Sequence, residues 1–285
     1  MRRGQTLIIV LWAMGLVSVA IGALSVRATH ELRLGHIPLE SLQRQAIAEA
    51  GVQQAIQVVT QDTKQSPQLD TLQETWATGS SADHTPLMTN LNVGEGTVSI
   101  ERLEHDATLP GLVDEERKLH LNSASVDSLQ RLIAAVGGMD VDAQRMAQTI
   151  LDWRDEPIGP FCRDLSPPCH NGPFDSVDEL RLVPGMSATL FAALEPYVTV
   201  YGSHAVNVNT APSLILQALG CDGDALVRAR NDQPFQNPPP SCPGTVVVSS
   251  AFTVPITATL HQSTTSYHMQ AVIDRQGHIL AWSIH

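Results

Sequence analysis

The residues in this sequence best suited to chemistry are oxygen-bearing side chains that crowd one loop after position 150. Carboxylate and amide oxygens are the ligands that a hard cation such as calcium prefers. The candidate calcium ligands are Asp152, Asp155, Glu156, Asp164 and Asn171. A solvated acidic loop held by a disulfide explains the same residues equally well, so calcium is the one candidate cofactor and none is certain.

Four cysteines follow, at Cys162, Cys169, Cys221 and Cys242. An even number of cysteines favours disulfides if this part of the chain lies in an oxidising compartment outside the cytoplasm. We predict pairing between neighbours, Cys162 with Cys169 and Cys221 with Cys242, because each pair closes a local loop rich in proline and glycine. The alternative is a zinc site made by Cys162, Cys169 and His170, although neither cysteine pair has the spacing usual for zinc.

Motifs for catalysis have little support. The 11 histidines are scattered without a metal-binding spacing, and the sequence contains neither a Gly-x-Ser-x-Gly elbow nor a phosphate-binding loop. Asp152 and Asp155 are three residues apart and could share a helix face, but an acidic pair at a helix end is usually just exposed. The sequence therefore predicts a protein that is not an enzyme.

The charge balance also restricts the partners. With 29 acidic against 17 basic residues the formal net charge is -12, and the only lysines are Lys64 and Lys118. Nucleic-acid binding needs lysine and arginine to neutralise phosphates, so this balance disfavours it. The length of 285 residues leaves room for more than one domain.

Short helices are predicted to position the candidate loop. Ser125 can cap a helix that ends at Gly137, and Asp140 can cap a second one over residues 141–153. Further on, the sequence from Ser176 to Glu179 has the form of a capping box. An internal repeat, LNSAS at 121–125 and VNTAP at 208–212, supports a string of helical units in this region.

One of these units, residues 174–187, resembles the helix-hairpin-helix motif of DNA-binding proteins. Its turn, Gly185-Met186-Ser187, lacks the second glycine. Residues 121–243 contain 7 Arg and no Lys against 14 Asp and Glu, a net charge of -7 that repels phosphates. DNA binding is therefore the alternative and not the preferred function.

Sequence on either side of the helical region predicts a long helix and a sheet. Helical periodicity extends over residues 31–60, with apolar residues on one face at Ala48, Val52, Ala55, Ile56 and Val59. Strands are predicted at 96–103, 245–250, 252–261, 266–274 and 278–284, with 118–121 as a partner or neighbour of the first.

The N-terminus carries an apolar segment long enough to cross a bilayer. Residues 7–26 contain no charge, and 20 helical residues rise about 30 Å. Arg2 and Arg3 would stay cytoplasmic, which leaves the rest of a single-pass chain in the periplasm. A cleaved signal peptide, a plain signal anchor and a class III leader ending at Gly4 are the three interpretations. We favour the leader, because Arg-Arg-Gly followed by Gln-Thr-Leu-Ile-Ile fits it.

This N-terminus resembles those of type IV pilins and of the pseudopilins of type II secretion. The resemblance implies cleavage by a prepilin peptidase between Gly4 and Gln5, followed by N-methylation. Most members carry Glu at the fifth mature position, where this chain has Ile9. K-type minor pseudopilins (the GspK family) usually lack that Glu. Their successive signatures are similar to segments of this chain at 121–124 (LNSA), 150–155 (ILDWRD), 176–185 (SVDELRLVPG) and 206–212 (VNVNTAP).

The resemblance implies an α+β pilin-like fold, in which a membrane-anchored N-terminal helix packs on a small antiparallel sheet that contains a large helical insertion. The implied parts are a leader (1–4), a transmembrane and pilin helix (5–60), a sheet domain (61–120 and 244–285) and the insertion (121–243). Calcium sites are known in the K-type family, but the loop between Asp155 and Ser176 departs from the family's acidic, Tyr-containing pattern.

The implied function is that of a minor pseudopilin at the tip of the pseudopilus, in the inner membrane, assisting protein export across the outer membrane. The implied partners are other minor pseudopilins, the pseudopilus, the prepilin peptidase, and a secreted substrate or the outer-membrane channel. A membrane-anchored DNA receptor of a competence or type IV pilus system is the alternative.

Overall fold

A computed structural model describes residues 39–104, 107–138, 141–155, 169–263 and 265–284. Residues 39–65 are helical (α1), and the predicted apolar face of this helix is buried at Ala48, Val52, Ala55 and Val59. Helix and sheet approach closely at Gly51, where an added Cβ would lie 2.7 Å from Val98 Cγ2. Among the described residues, no helix is both long and apolar enough to span a membrane. The predicted leader and apolar segment lie outside them.

Helix α1 packs against an antiparallel sheet, which has seven strands in the described part of the chain. Its strands are β1 (Leu91–Val93), β2 (Gly96–Glu104), β3 (Ala107–Pro110), β4 (Val113–Asp114), β9 (Ala251–Leu260), β10 (Ser266–Asp274) and β11 (Ile279–Ile284). The main order is β1-β2-β9-β10-β11, while β3 pairs with β2 and β4 pairs with β9. Strand β2 thus meets β9 directly, with Gly96 opposite Leu260. A four-residue helix, α2 (Thr75–Thr78), places Trp76 against Phe252 of β9.

The chain between β4 and β9 is mainly helical. Its helices are α3 (Val126–Val136), α4 (Ala143–Arg154), α5 (Ala188–Leu194), α6 (Ser213–Ala218) and α7 (Gly223–Asp232), with 3-10 turns at Glu115–Arg117, Val177–Leu182 and Glu195–Tyr197. Two short parallel ladders join β5 (Leu119–His120) to β6 (Val198–Thr199), and β7 (Val206–Asn207) to β8 (Thr245–Val246). The overall class is α+β, as predicted.

Within the described ranges, the buried apolar residues form two clusters. One lies between α1, α2 and the sheet, and Trp76, Phe252 and Ile100 are among its largest members. The other lies within the helical region and runs in sequence from Leu119 to Val247. The chain therefore builds two hydrophobic cores, one on either side of the segment that follows β4.

Four local predictions are wrong. The strand predicted at 245–250 is only β8, which pairs in parallel with β7 and does not join the main sheet. The segment around Leu119 pairs in parallel with β6 and does not join the main sheet. Helix α4 is capped by Asp142, whose carboxylate accepts from Arg145 N at 3.0 Å, and not by Asp140. The capping box at Ser176 does not form, because Glu179 accepts instead from the backbone N–H of Asp175 at 2.7 Å.

Candidate functional site

Three of the five predicted calcium ligands lie in the described part of the chain, around the end of α4. Asp152 is in the last turn, Asp155 follows it, and Asn171 donates its backbone N–H to Trp153 O at 2.7 Å. Both Asp155 oxygens accept from Arg154, at 2.6 and 3.0 Å, and this pairing lowers the pKa of Asp155. Glu156 and Asp164 lie outside the described residues, so the calcium set stays a prediction.

Arg154 has a structural role beside that pair. Its Nη1 donates to the carbonyl oxygens of Leu121 at 2.7 Å and Ala124 at 3.1 Å. Asp155 therefore orients an arginine that ties the end of α4 to the LNSA segment. This contact joins two of the four signatures in space.

A disulfide links Cys221 to Cys242. Cys169 is buried and is also disulfide-bonded, while its predicted partner Cys162 lies outside the described residues. The third residue of the alternative zinc set, His170, pairs with Glu179 at 3.2 Å. With Cys169 in a disulfide, the thiolate that zinc would need there is not available.

Sequence reasoning missed the most heavily bonded polar site, three consecutive buried acidic residues after β4: Asp114, Glu115 and Glu116. We call them the acidic junction. They lie between the two cores, and each accepts hydrogen bonds from residues more than 80 positions later in the chain. A run of acidic residues normally indicates an exposed loop, so composition gave no signal for this burial.

Asp114 faces the VNVNTAP segment. Its Oδ2 accepts from Ser249 Oγ at 2.6 Å, Thr210 Oγ1 at 2.5 Å and Asn207 Nδ2 at 3.4 Å. Burial, and then the neighbouring charge of Glu116, raise the pKa of Asp114 well above its usual range. The signature thus supplies two of the three donors to this buried carboxyl oxygen, and Ser249 supplies the third.

Glu115 and Glu116 complete the junction. Glu115 pairs with Lys118 Nζ at 2.7 Å and accepts from the hydroxyls of Thr199 and Thr253; these partners outweigh burial, so its pKa is lowered. Glu116 Oε1 accepts from the backbone N–H groups of Ser203 at 2.8 Å and Ser250 at 3.0 Å. One carboxylate therefore holds the helical region and the start of β9 together.

Among the described residues, the last strand of the sheet, β11, carries a group of large exposed apolar side chains. In β11, five of six residues are exposed, including Ile279, Leu280, Trp282 and Ile284, and Trp282 is 56% exposed. The strand pairs with β10 and ends the order β1-β2-β9-β10-β11. An apolar edge strand of this kind is a ready surface for another chain.

The turn that resembles a DNA-binding hairpin is used for local structure. Gly185 has a positive φ of 86°, and Ser187 caps α5 by accepting from Leu190 N at 3.1 Å. The residue that replaces the motif's second glycine thus satisfies the backbone of its own helix. Two exposed side chains nearby, Asp178 and Arg181, pair with each other at 3.1 Å.

The fold and its sites define an α+β protein in which a helix covers an antiparallel sheet and a helical region is inserted before strand β9. Residues 108–203 match the family model for type II secretion system protein K. Type II secretion system protein K of Klebsiella pneumoniae is 25% identical over 224 residues, which cover 73% of this chain and 66% of that protein, slightly less than two thirds of its length.

The fold is similar to a chain of the GspK-GspI-GspJ complex from the type 2 secretion system of enterotoxigenic Escherichia coli. The TM-score is 0.66 at 19% identity, and the match covers 88% of this chain and 98% of that one. The family model and the Klebsiella relative confirm the resemblance to type II secretion system protein K that the sequence indicated, and the solved structure confirms the fold. They do not favour the alternative of a DNA receptor.

Proposed function

We propose that this protein is a structural subunit, a minor pseudopilin that assembles with other minor pseudopilins at the tip of a type II secretion pseudopilus. The exposed apolar strand β11 carries this proposal, because Trp282 and Ile284 would be buried by a neighbouring subunit. The similar E. coli chain belongs to a GspK-GspI-GspJ complex. Assembly, and not catalysis, is the activity that this surface supports.

The proposal includes an N-terminus processed between Gly4 and Gln5, with residues 5–60 as the anchor and pilin helix. Residues 61–120 and 244–285 would form the pilin-like sheet, and 121–243 the insertion. The chain after the anchor would be periplasmic, where a secreted substrate or the outer-membrane channel is within reach. Ile9 supports the tip position, because a subunit without Glu there cannot neutralise the terminal amine of a neighbour.

N-terminal sequencing of membrane-extracted protein tests the processing. A methylated Gln5 start is expected, and an intact Met1 start would remove the class III leader from the proposal.

Co-purification with the other minor pseudopilins of the same organism tests the surface. Trp282→Glu should weaken capture at least about tenfold, since a charge at a buried interface costs more than 1.4 kcal/mol. Leu182→Glu is the matched control, because Leu182 is 65% exposed but lies in the helical region. Equal capture of the wild type and the Trp282 variant would assign assembly to another surface.

A further inference from the structure

Three carboxylates meet where α1 ends. Asp62 is in the last turn of α1, Asp70 lies in the following loop, and Glu74 precedes α2. One carboxylate oxygen of each lies within 4.8 Å of those of the other two. We call these residues the α1-end cluster. Oxygens bound to one calcium ion lie about 2.3–2.6 Å from it, so two ligands can be up to about 5 Å apart.

The burial of Asp70 distinguishes this cluster from an ordinary group of acidic residues on the surface. Its side chain is fully buried, and Oδ2 accepts from Arg275 Nη1 and from Ser249 N. Its Oδ1 is buried too, yet has no hydrogen-bond donor among the described residues. Buried polar atoms normally have a partner, and an anionic oxygen without one is costly.

The local charges do not balance either. Among the described residues, Arg275 is the cation that contacts the cluster, through Asp70, and it faces three carboxylates. A bound divalent cation would offset the remaining negative charge, since buried charges are normally paired or coordinate a metal.

We propose that the α1-end cluster is a calcium-binding site, distinct from the loop after α4, with Asp62, Asp70 and Glu74 as ligands. Hard oxygen donors without any nitrogen or sulfur ligand suit calcium better than zinc. Asp62 also lines an open groove of about 670 Å³ beside α1, so solvent reaches this one of the three ligands. Water would fill the remaining coordination positions.

Calcium bound here would join the end of α1 to the loop that enters α2 and, through Asp70, would also hold the distant turn that contains Arg275. Asp62 belongs to α1, Asp70 and Glu74 to the loop that enters α2, and Arg275 to the turn between β10 and β11. Arg275 additionally donates to Ser66 O at 3.1 Å and Ser249 O at 2.9 Å. The ion would therefore stabilise the packing of α1 on the sheet independently of the proposed role in secretion.

The test is calcium-dependent thermal unfolding of the full-length protein in detergent after treatment with EDTA. Adding CaCl2 should raise the unfolding temperature of the wild type. The double variant Asp62→Asn/Glu74→Gln should need at least tenfold more calcium for the same increase. Asp83→Asn is the matched control, because Asp83 is an exposed carboxylate of the neighbouring loop. Asp152→Asn/Asp155→Asn removes the other candidate site and should leave the α1-end response in place.

Terbium luminescence gives a second measurement that does not depend on stability. Trp76 Nε1 donates to Glu74 Oε2 at 2.8 Å, so this indole should sensitise a terbium ion bound at the cluster. Trp76→Phe should lose that luminescence while retaining the calcium response. The proposal is overturned if wild-type protein shows no calcium response, or if Asp62→Asn/Glu74→Gln responds to calcium and terbium as the wild type does.

Discussion

Replacing Glu116 by alanine should destabilise the protein and allow its two cores to unfold independently. Glu116 accepts from Ser203 N at 2.8 Å, Ser250 N at 3.0 Å, Ser250 Oγ, and Ala251 N at 3.3 Å. The packing around it is close, because a Cβ on Gly202 would lie 2.7 Å from Glu116 Oε1. Glu116 is itself buried, so truncation would leave these donors, of which Ala251 N is buried, without their acceptor.

The expected loss follows from the number and type of these bonds. A hydrogen bond to a charged group contributes about 1.5–3 kcal/mol, and such contributions within one network are not additive. We therefore expect about 3–5 kcal/mol for the whole carboxylate, as for other broken buried networks. At about 2–4 °C per kcal/mol for a domain of this size, the unfolding temperature should fall by about 6–20 °C.

The assay is thermal unfolding of the purified full-length protein, followed by tryptophan fluorescence and circular dichroism. Because the variant loses the Glu116 contacts between the two cores, it should unfold in two resolved transitions. Trp76 lies in the sheet core and Trp153 in the helical core, so the fluorescence signal contains a reporter for each. Glu95→Ala is the control, since Glu95 is exposed in the turn between β1 and β2. If the Glu116 variant unfolds within about 1 °C of the Glu95 variant, the acidic junction does not hold the cores together.

Three further predictions concern other parts of the chain. Burial and His204 lower the pKa of His120 to about 4, so the unfolded chain binds an extra proton at this residue between that value and about 6.5. The contribution of His120 to stability should therefore fall by up to about 3 kcal/mol as the pH drops through this window, and unfolding temperatures of the wild type and His120→Asn measured against pH should differ by this contribution. Replacing both Cys221 and Cys242 by serine should cost about 3 kcal/mol from the loop that their disulfide closes, measured by urea unfolding. Gly96→Ala would place a Cβ 2.2 Å from the carbonyl oxygen of Thr259, so β2 must shift away from β9 and the unfolding temperature should drop by more than about 6 °C. The control Gly94→Ala has open space at Cβ but a positive φ, and it should lower the unfolding temperature less.

Elements with strong local signals could be predicted from the sequence. The apolar face of α1 is visible as residues three and four positions apart, and it is buried as expected. Alternating residues gave β10, which spans the predicted Ser266–Asp274, and the serine cap gave the start of α3 at Val126. In each case neighbouring residues contain the information, so no knowledge of distant contacts is needed.

The contacts that build the sites depend on distant residues, and these could not be predicted. Glu116 is buried because its donors at Ser203 and Ser250 arrive from two separate segments. The parallel ladders have only two residues in each strand, which is too short for a period to show. The α1-end cluster likewise needs the turn at Arg275 to bring its guanidinium to Asp70.

The order of strands in the sheet determines when this protein can finish folding during its synthesis. Strand β2 finds its partner β9 only after about 160 further residues have been made, as Gly96 opposite Leu260 requires. Helices α3 and α4 meet through a short connection, so the inserted region has local contacts available much earlier. A nascent chain halted before residue 251 would therefore contain a folded helical unit and a strand β2 whose edge has no β9 to pair with. A chaperone that holds unfolded chains should bind this state, and a protease should cleave it first.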